Sequence, residues 1–254
     1  MFYYFLASAL PALSLKAKLE LTCSELLPLM EWNLSGQDWQ EVQNLRSYID
    51  IRNIKALFLK RPLDPRGNLD AKGLNEALLF KDLMGETVFD FLEKYPLEEK
   101  RLKHFPELLS GFLQEPKSLS PFLNFYFRME RSILLITTAL RAKKLGRELE
   151  EELFFEDSLD PLVKTLFEQK KAGHLELEAE LQPVVELFEK NYLEPVKLQK
   201  ALLEYRFEKF TEAAEKEPFS LDQVLGYLAR VWLVEDGLRL EKEDGKLILD
   251  ALLR

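Results

Sequence analysis

The longest uninterrupted apolar period in the chain runs from Phe122 to Arg147, FLNFYFRMERSILLITTALRAKKLGR. Pro121 stands just behind Ser118 and Ser120, which suits a helix start, and Gly146 stands where a helix stop is expected. Neither Gly nor Pro lies between, so the stretch has room for about seven turns at 3.6 residues each. Its middle (Ile133, Leu134, Leu135, Ile136, Ala139 and Leu140) is too apolar to face water on every side. This pattern predicts a central helical post wrapped by other helices, with Arg141, Lys143, Lys144 and Arg147 as its basic end.

Residues 2–13 are aromatic and apolar, broken by Pro11, and fit either a short helix or an extended arm. Residues 20–33 read as a helix with Leu21, Leu26, Leu27 and Met30 on one side. After the loop Asn33–Gln37, Asp38 is a candidate cap for a helix from Trp39 to about Lys60, stopped by Pro62. Arg61–Asn68 reads as a loop. Ala71 to Tyr95 is predicted helical with an interruption near Gly85, and Leu97 to Phe112 helical with a disturbance at Pro106. Beyond the post, Asp157 is a candidate cap for a helix reaching Lys171. Helices over 182–191, 195–217 and 221–234 follow, and past Gly237 a last one from Leu238 to Leu253. The segment LELEAEL, 175–181, alternates with a period of two but has no second strand to pair with. The pattern predicts an all-α fold of about nine helices, a single body over 1–254 with possible sub-units 1–115, 116–193 and 194–254.

Composition narrows the function classes. The 254 residues are 47% hydrophobic and 31% charged, enough to bury a sizeable core. A net charge of −9 argues against nucleic acid, whose phosphates reward clustered cations, and against direct binding of anionic lipid headgroups. The one cysteine, Cys23, excludes an internal disulfide and fits a reducing compartment. The apolar N-terminus has no cation before Lys16, so the charged region of a signal peptide is missing. No run of ~18 apolar residues exists, so no direct membrane insertion is expected. A cytoplasmic protein, at most peripheral on a membrane, is the expectation.

Two helices look related. Setting Asp50 over Ser132 and Asn53 over Leu135 brings Leu57 over Ala139 and Phe58 over Leu140. Both then have a polar first half, an apolar second half and a basic end. A fainter third copy is Tyr227 to Leu240. Tyr48-Ile-Asp50-Ile-Arg-Asn53-Ile-Lys-Ala-Leu57 resembles the helix signature of the C subunit of V/A-type rotary ATPases, known as the d subunit in the eukaryotic enzyme. Leu140-Arg141-Ala142-Lys143 is similar to the end of that signature, although Ser132 and Leu135 replace its Asp and Asn. Gly226-Tyr227-Leu228 with Glu235 and Leu238-Arg239 is similar to its closing motif. The resemblance implies two to three helical units closing into a funnel. It also implies a non-catalytic central-stalk coupling part between the proteolipid rotor ring and the axle, in a complex moving protons or sodium. Candidate motif residues are Tyr48, Asp50, Asn53, Leu57, Glu130, Leu140 and Arg141. Candidate partner contacts are Arg141, Lys143, Lys144 and Arg147.

Residues for chemistry are sparse. His104 and His174 lie in no metal-binding spacing, no Gly-rich phosphate loop is present, and no cofactor is expected. Asp50 and Asn53 share a helix face; the structural account has Asn53 satisfying a neighbouring helix end and Asp50 pairing with Arg46 or Arg52. The rival function is a helical adaptor unrelated to any pump, anchored by Phe125, Tyr126 and Trp232. An enzyme with an all-helical pocket comes third.

Overall fold

The computed structural model describes residues 2–17, 19–81, 83–115 and 120–252, the side chains of 2 and 242–252 excepted. Among the described residues the fold is all-helical, with no strand. Thirteen helices follow one another there: α1 (Phe2–Ala9), α2 (Cys23–Asn33), α3 (Gly36–Phe58), α4 (Ala71–Phe80), α5 (Glu86–Lys94), α6 (Glu98–Lys103), α7 (Phe105–Gln114), α8 (Pro121–Leu145), α9 (Leu149–Glu152), α10 (Pro161–Glu168), α11 (Gln182–Asn191), α12 (Pro195–Ala214) and α13 (Leu221–Leu252). The aromatic N-terminus is thus a helix.

The ends of α8 follow the expected chemistry. The Ser120 hydroxyl accepts from the Leu123 amide at 3.1 Å and Pro121 fills the first turn. Gly146, at φ 63°, closes the helix by donating to the carbonyls of Ala142 and Lys143. Ser118 lies outside the described residues.

Several expected boundaries move. Ser35, not Asp38, caps α3, its hydroxyl accepting from the Asp38 amide at 3.2 Å. Asp160, not Asp157, caps α10 by accepting from Leu162 and Val163 at 2.9 and 3.1 Å, which leaves that helix short. Pro106 does not disturb a helix but opens α7 after the break at His104. Gly237 does not end a helix either: α13 passes straight through it, at a cost of about 1 kcal/mol relative to Ala. Leu253 lies outside the described residues.

The post is buried as its pattern demands. Ile133, Leu135, Ile136 and Leu140 are buried, and α8 touches α7, α9, α10, α11, α12 and α13. A contiguous core runs from Leu6 to Leu233. The most extensive helix pair is α12 with α13. It closes tightly because Gly226 has no side chain: a Cβ there would stand 2.2 Å from that of Ala214. Phe122, Tyr126 and Phe210 pile up beside this seam, with Tyr126 and Phe210 centroids 4.9 Å apart. Tyr126 and Trp232 are therefore core residues at 4% and 3% exposure and are not available to a partner as interface anchors, while Phe125 leans half-buried on the same core.

Candidate functional site

The polar pair on α3 holds a loop, not a helix end. Asn53 donates through Nδ2 to the Asp64 carbonyl at 2.9 Å and accepts the Asp64 amide through Oδ1 at 2.8 Å. Asp50 accepts from the amides of Asn68 and Leu69, both at 3.1 Å, and from Asn68 Nδ2 at 2.9 Å. The expected ion pair with Arg46 or Arg52 is replaced by these amides, while Arg46 donates to the carbonyls of Arg66 and Gly67. Gly67 fits closely here: a Cβ would stand 2.3 Å from Asp50 Oδ1 and would displace that carboxylate from its bonds. Burial pushes the Asp50 carboxyl up against the pull of its amide donors.

The held loop presents Arg66 to α13. Its buried guanidinium donates to Asp64, to the Trp232 carbonyl at 3.1 Å, to Glu235 at 3.3 Å and to Asp236 at 2.6 Å. Burial raises the Asp64 carboxyl, but its bonds to Arg66 outweigh that and bring it down to about 2. Glu235 also accepts the Cys23 amide at 2.9 Å, so loop, α2 and α13 meet at one ion cluster. Cys23 itself is 2% exposed, its Sγ accepts from Trp232 Nε1 at 3.2 Å, and burial pushes its thiol up to about 11. It is a packing thiol.

A second polar knot ties α3, α8 and α12. Glu130 receives a two-pronged contact from Arg206, at 2.6 and 3.0 Å, and a long bond from the Tyr48 hydroxyl at 3.4 Å. Arg52 lies over the Tyr48 ring at 5.8 Å with its side chain exposed. Of the motif residues, Asp50, Asn53, Glu130 and Leu140 are buried, and Tyr48 and Leu57 pack half-buried on the core. Arg66 and Arg206 complete both knots, and the helical pattern does not single them out. Their one sequence signal is a cation set among apolar or turn residues, Tyr205-Arg206-Phe207 and Pro65-Arg66-Gly67.

The four cations at the end of α8 separate into two kinds. Lys143 reaches the carbonyls of Ala172 and Gly173, and Arg147 pairs with Glu152 at 3.1 Å. Arg141 and Lys144, three residues apart on one face, have no hydrogen bond or ion pair among the described residues. Lys144 instead lies 4.5 Å over the Tyr192 ring. They overhang a cleft of ≈180 Å³ between α8, α11 and the start of α12. Phe188 and Leu198, both buried, form its floor. Beside it Leu145, Tyr192 and Leu193 are 63%, 38% and 78% exposed.

Neither histidine joins a cluster suited to chemistry. His104 stacks on Tyr95 with centroids 4.4 Å apart, and His174 sits 3.0 Å from Glu189. Among the described residues no three of His, Cys, Asp or Glu are placed to hold a metal ion. The buried Glu156 is engaged by Ser110 and Arg131. Among the described residues no helix is long and apolar enough to cross a membrane.

A family model described as "Protein of unknown function (DUF2764)" matches residues 1–254. An uncharacterized protein of Chlamydia muridarum is 25% identical over 257 residues, covering 98% of this chain and 97% of its own length. One from Chlamydia trachomatis serovar D is 26% identical over 232 residues, 89% of this chain and 87% of its own. No solved structure matches. These findings correct the resemblance drawn from Tyr48–Leu57: the family that spans the chain is this one, not that of the rotary ATPase C subunit. The window is accounted for by the loop that Asp50 and Asn53 hold.

Proposed function

This chain belongs to the DUF2764 family of proteins of unknown function, and we propose that it works as a non-catalytic connector: a stiff helical body that binds another protein. The observation that carries this reading is the sorting of cations at the end of α8. Arg141 and Lys144 make no hydrogen bond or ion pair among the described residues, Lys144 meeting only the Tyr192 ring, and both stand beside exposed apolar side chains, while Asp50, Asp64, Glu130 and Glu156 are all engaged in holding the body together. Fully engaged polar groups make a structure rigid and leave little free to react. Interiors packed at crystal-like density resist deformation, which suits a part that transmits position or force.

We extend the reading to two or three related helical units. It is supported by α3 and α8, the helices with the paired windows, each packing on both α7 and α13. The partners to test first, as partners and without regard to family, are the proteolipid ring and central stalk of a V/A-type ATPase. Attachment to such a complex would place the chain peripherally on a membrane.

Affinity purification of the tagged chain from its native cell, in mild detergent at low salt, tests the proposal. A protein recovered in stoichiometric amount is expected, and its identity decides between a rotary ATPase and another assembly. A chain that elutes alone and monomeric refutes the connector.

A further inference from the structure

The cleft under Arg141 and Lys144 combines two features seldom found together on so acidic a protein. Its floor, Phe188 and Leu198, is apolar, and its volume of ≈180 Å³ exceeds the roughly 150 Å³ cavity that accepts benzene. There is thus room for one ring or branched aliphatic side chain, and for little more. Its rim has two cations on one helix face. Arg141 is exposed and unpaired among the described residues, and Lys144 lies over the Tyr192 ring with no hydrogen bond or ion pair among those residues. The neighbouring Lys143 and Arg147 are already bound to this chain, so the free charge at this end of α8 is confined to the cleft's edge.

We propose that this cleft docks a short segment of a partner protein in which a large apolar side chain stands next to Asp or Glu. The apolar side chain enters between Leu145 and Tyr192 onto Phe188 and Leu198, and the carboxylate meets Arg141 and Lys144. The proposal rests on the connector reading and names the chemistry of its partner. Charge complementarity sets the choice. At a net −9 most of the surface repels an acidic segment, so the attractive edge fixes where it lands and speeds its encounter. The same net charge disfavours an anionic bilayer, and a cleft of this size admits a side chain rather than a headgroup with its acyl chains.

A random heptapeptide phage library panned on the full-length chain at about 0.1 M salt tests this. Enriched peptides are expected to place Asp or Glu beside Leu, Phe or Trp. The best of them, synthesised with a fluorophore, should bind roughly tenfold more weakly to Arg141→Glu/Lys144→Glu, and a Lys-for-acid version should recover on that variant. Leu145→Glu, at an exposed position, should weaken binding as well, and all variants should melt like the parent. Enrichment without the acid–apolar pairing, no enrichment, or a charge-reversed variant that binds like the parent overturns the proposal. So does a chain that dimerises through this cleft, or one that phosphatidylserine vesicles capture through Arg141 and Lys144. The purification above reads separately: a partner retained by the charge-reversed variant sinks the cleft and leaves the connector standing.

Discussion

Gly226 and Gly237 lie eleven positions apart on the same helix, and their replacement by Ala should move stability in opposite directions. At 226 a methyl group would stand 2.2 Å from Ala214 Cβ and 3.2 Å from Phe122 Cε2. Carbon atoms rest about 3.5–4.0 Å apart, so α12 or α13 must yield by more than ~1 Å. That movement pulls on Arg230, which bonds Thr211 and Glu215 of the neighbouring α12 end at 3.1 Å each. Overpacking costs about 1–3 kcal/mol, and the short distance places it towards the upper end. The gain in helix propensity returns about 0.8–1.0 kcal/mol. The net loss for Gly226→Ala is then about 1–2 kcal/mol, a fall in Tm of roughly 2–8 °C for a chain of this length. At 237 nothing lies within 4 Å of the added methyl, so Gly237→Ala should gain up to about 1 kcal/mol. Urea and thermal unfolding followed by circular dichroism at 222 nm measure both. A Gly226→Ala chain as stable as the parent would refute the close α12–α13 seam. An Ala214→Gly/Gly226→Ala chain that fails to recover most of the loss would refute the assignment to that contact.

Asn53→Ala leaves both backbone groups of Asp64 without their partner, costs about 1–3 kcal/mol, and should speed amide exchange over residues 64–69 before the helices respond. Asp64, held near pKa 2, contributes stability that is present above about pH 4 and lost as pH falls toward 2; Asp64→Asn should remove about 2 kcal/mol of that acid dependence, read from urea midpoints across the window. Glu130→Leu leaves the half-buried Arg206 uncompensated, at up to about 3 kcal/mol, whereas Glu130→Leu/Arg206→Met should recover most of it in the same assay. Leu135→Asp puts a charge into the centre of α8 and should yield no folded monomer on gel filtration, while Arg141→Ala should change stability by less than about 0.5 kcal/mol.

What is legible in the sequence is local. The limits of α8 can be read because Pro121 and Gly146 act within one turn of themselves. The course of α13 cannot, because whether a mid-helix glycine breaks or bends depends on what packs around it. Asp50 and Asn53 stand out as a polar pair on an apolar helix, but their partners lie 11 to 19 positions away in a loop, beyond any helical period. The four cations ending α8 are alike as letters. Only carbonyls 172 and 173 and the Glu152 carboxylate set Lys143 and Arg147 apart from Arg141 and from Lys144, which lies over the Tyr192 ring. Tyr126 and Trp232 pass for anchors for a similar reason: a large aromatic side chain suits a core and an interface equally, and contact with α12 and α13 decides which.

The bond from the Cys23 amide to Glu235 spans 212 positions. At about 5–20 residues per second of synthesis, the acceptor is polymerised roughly 10 to 40 s after the donor. For most of that interval α2 has no α13 to pack against. The nascent chain therefore waits on the ribosome with an uncovered leading helix, and a stop codon placed between α12 and α13 should give a product that needs a chaperone to stay in solution.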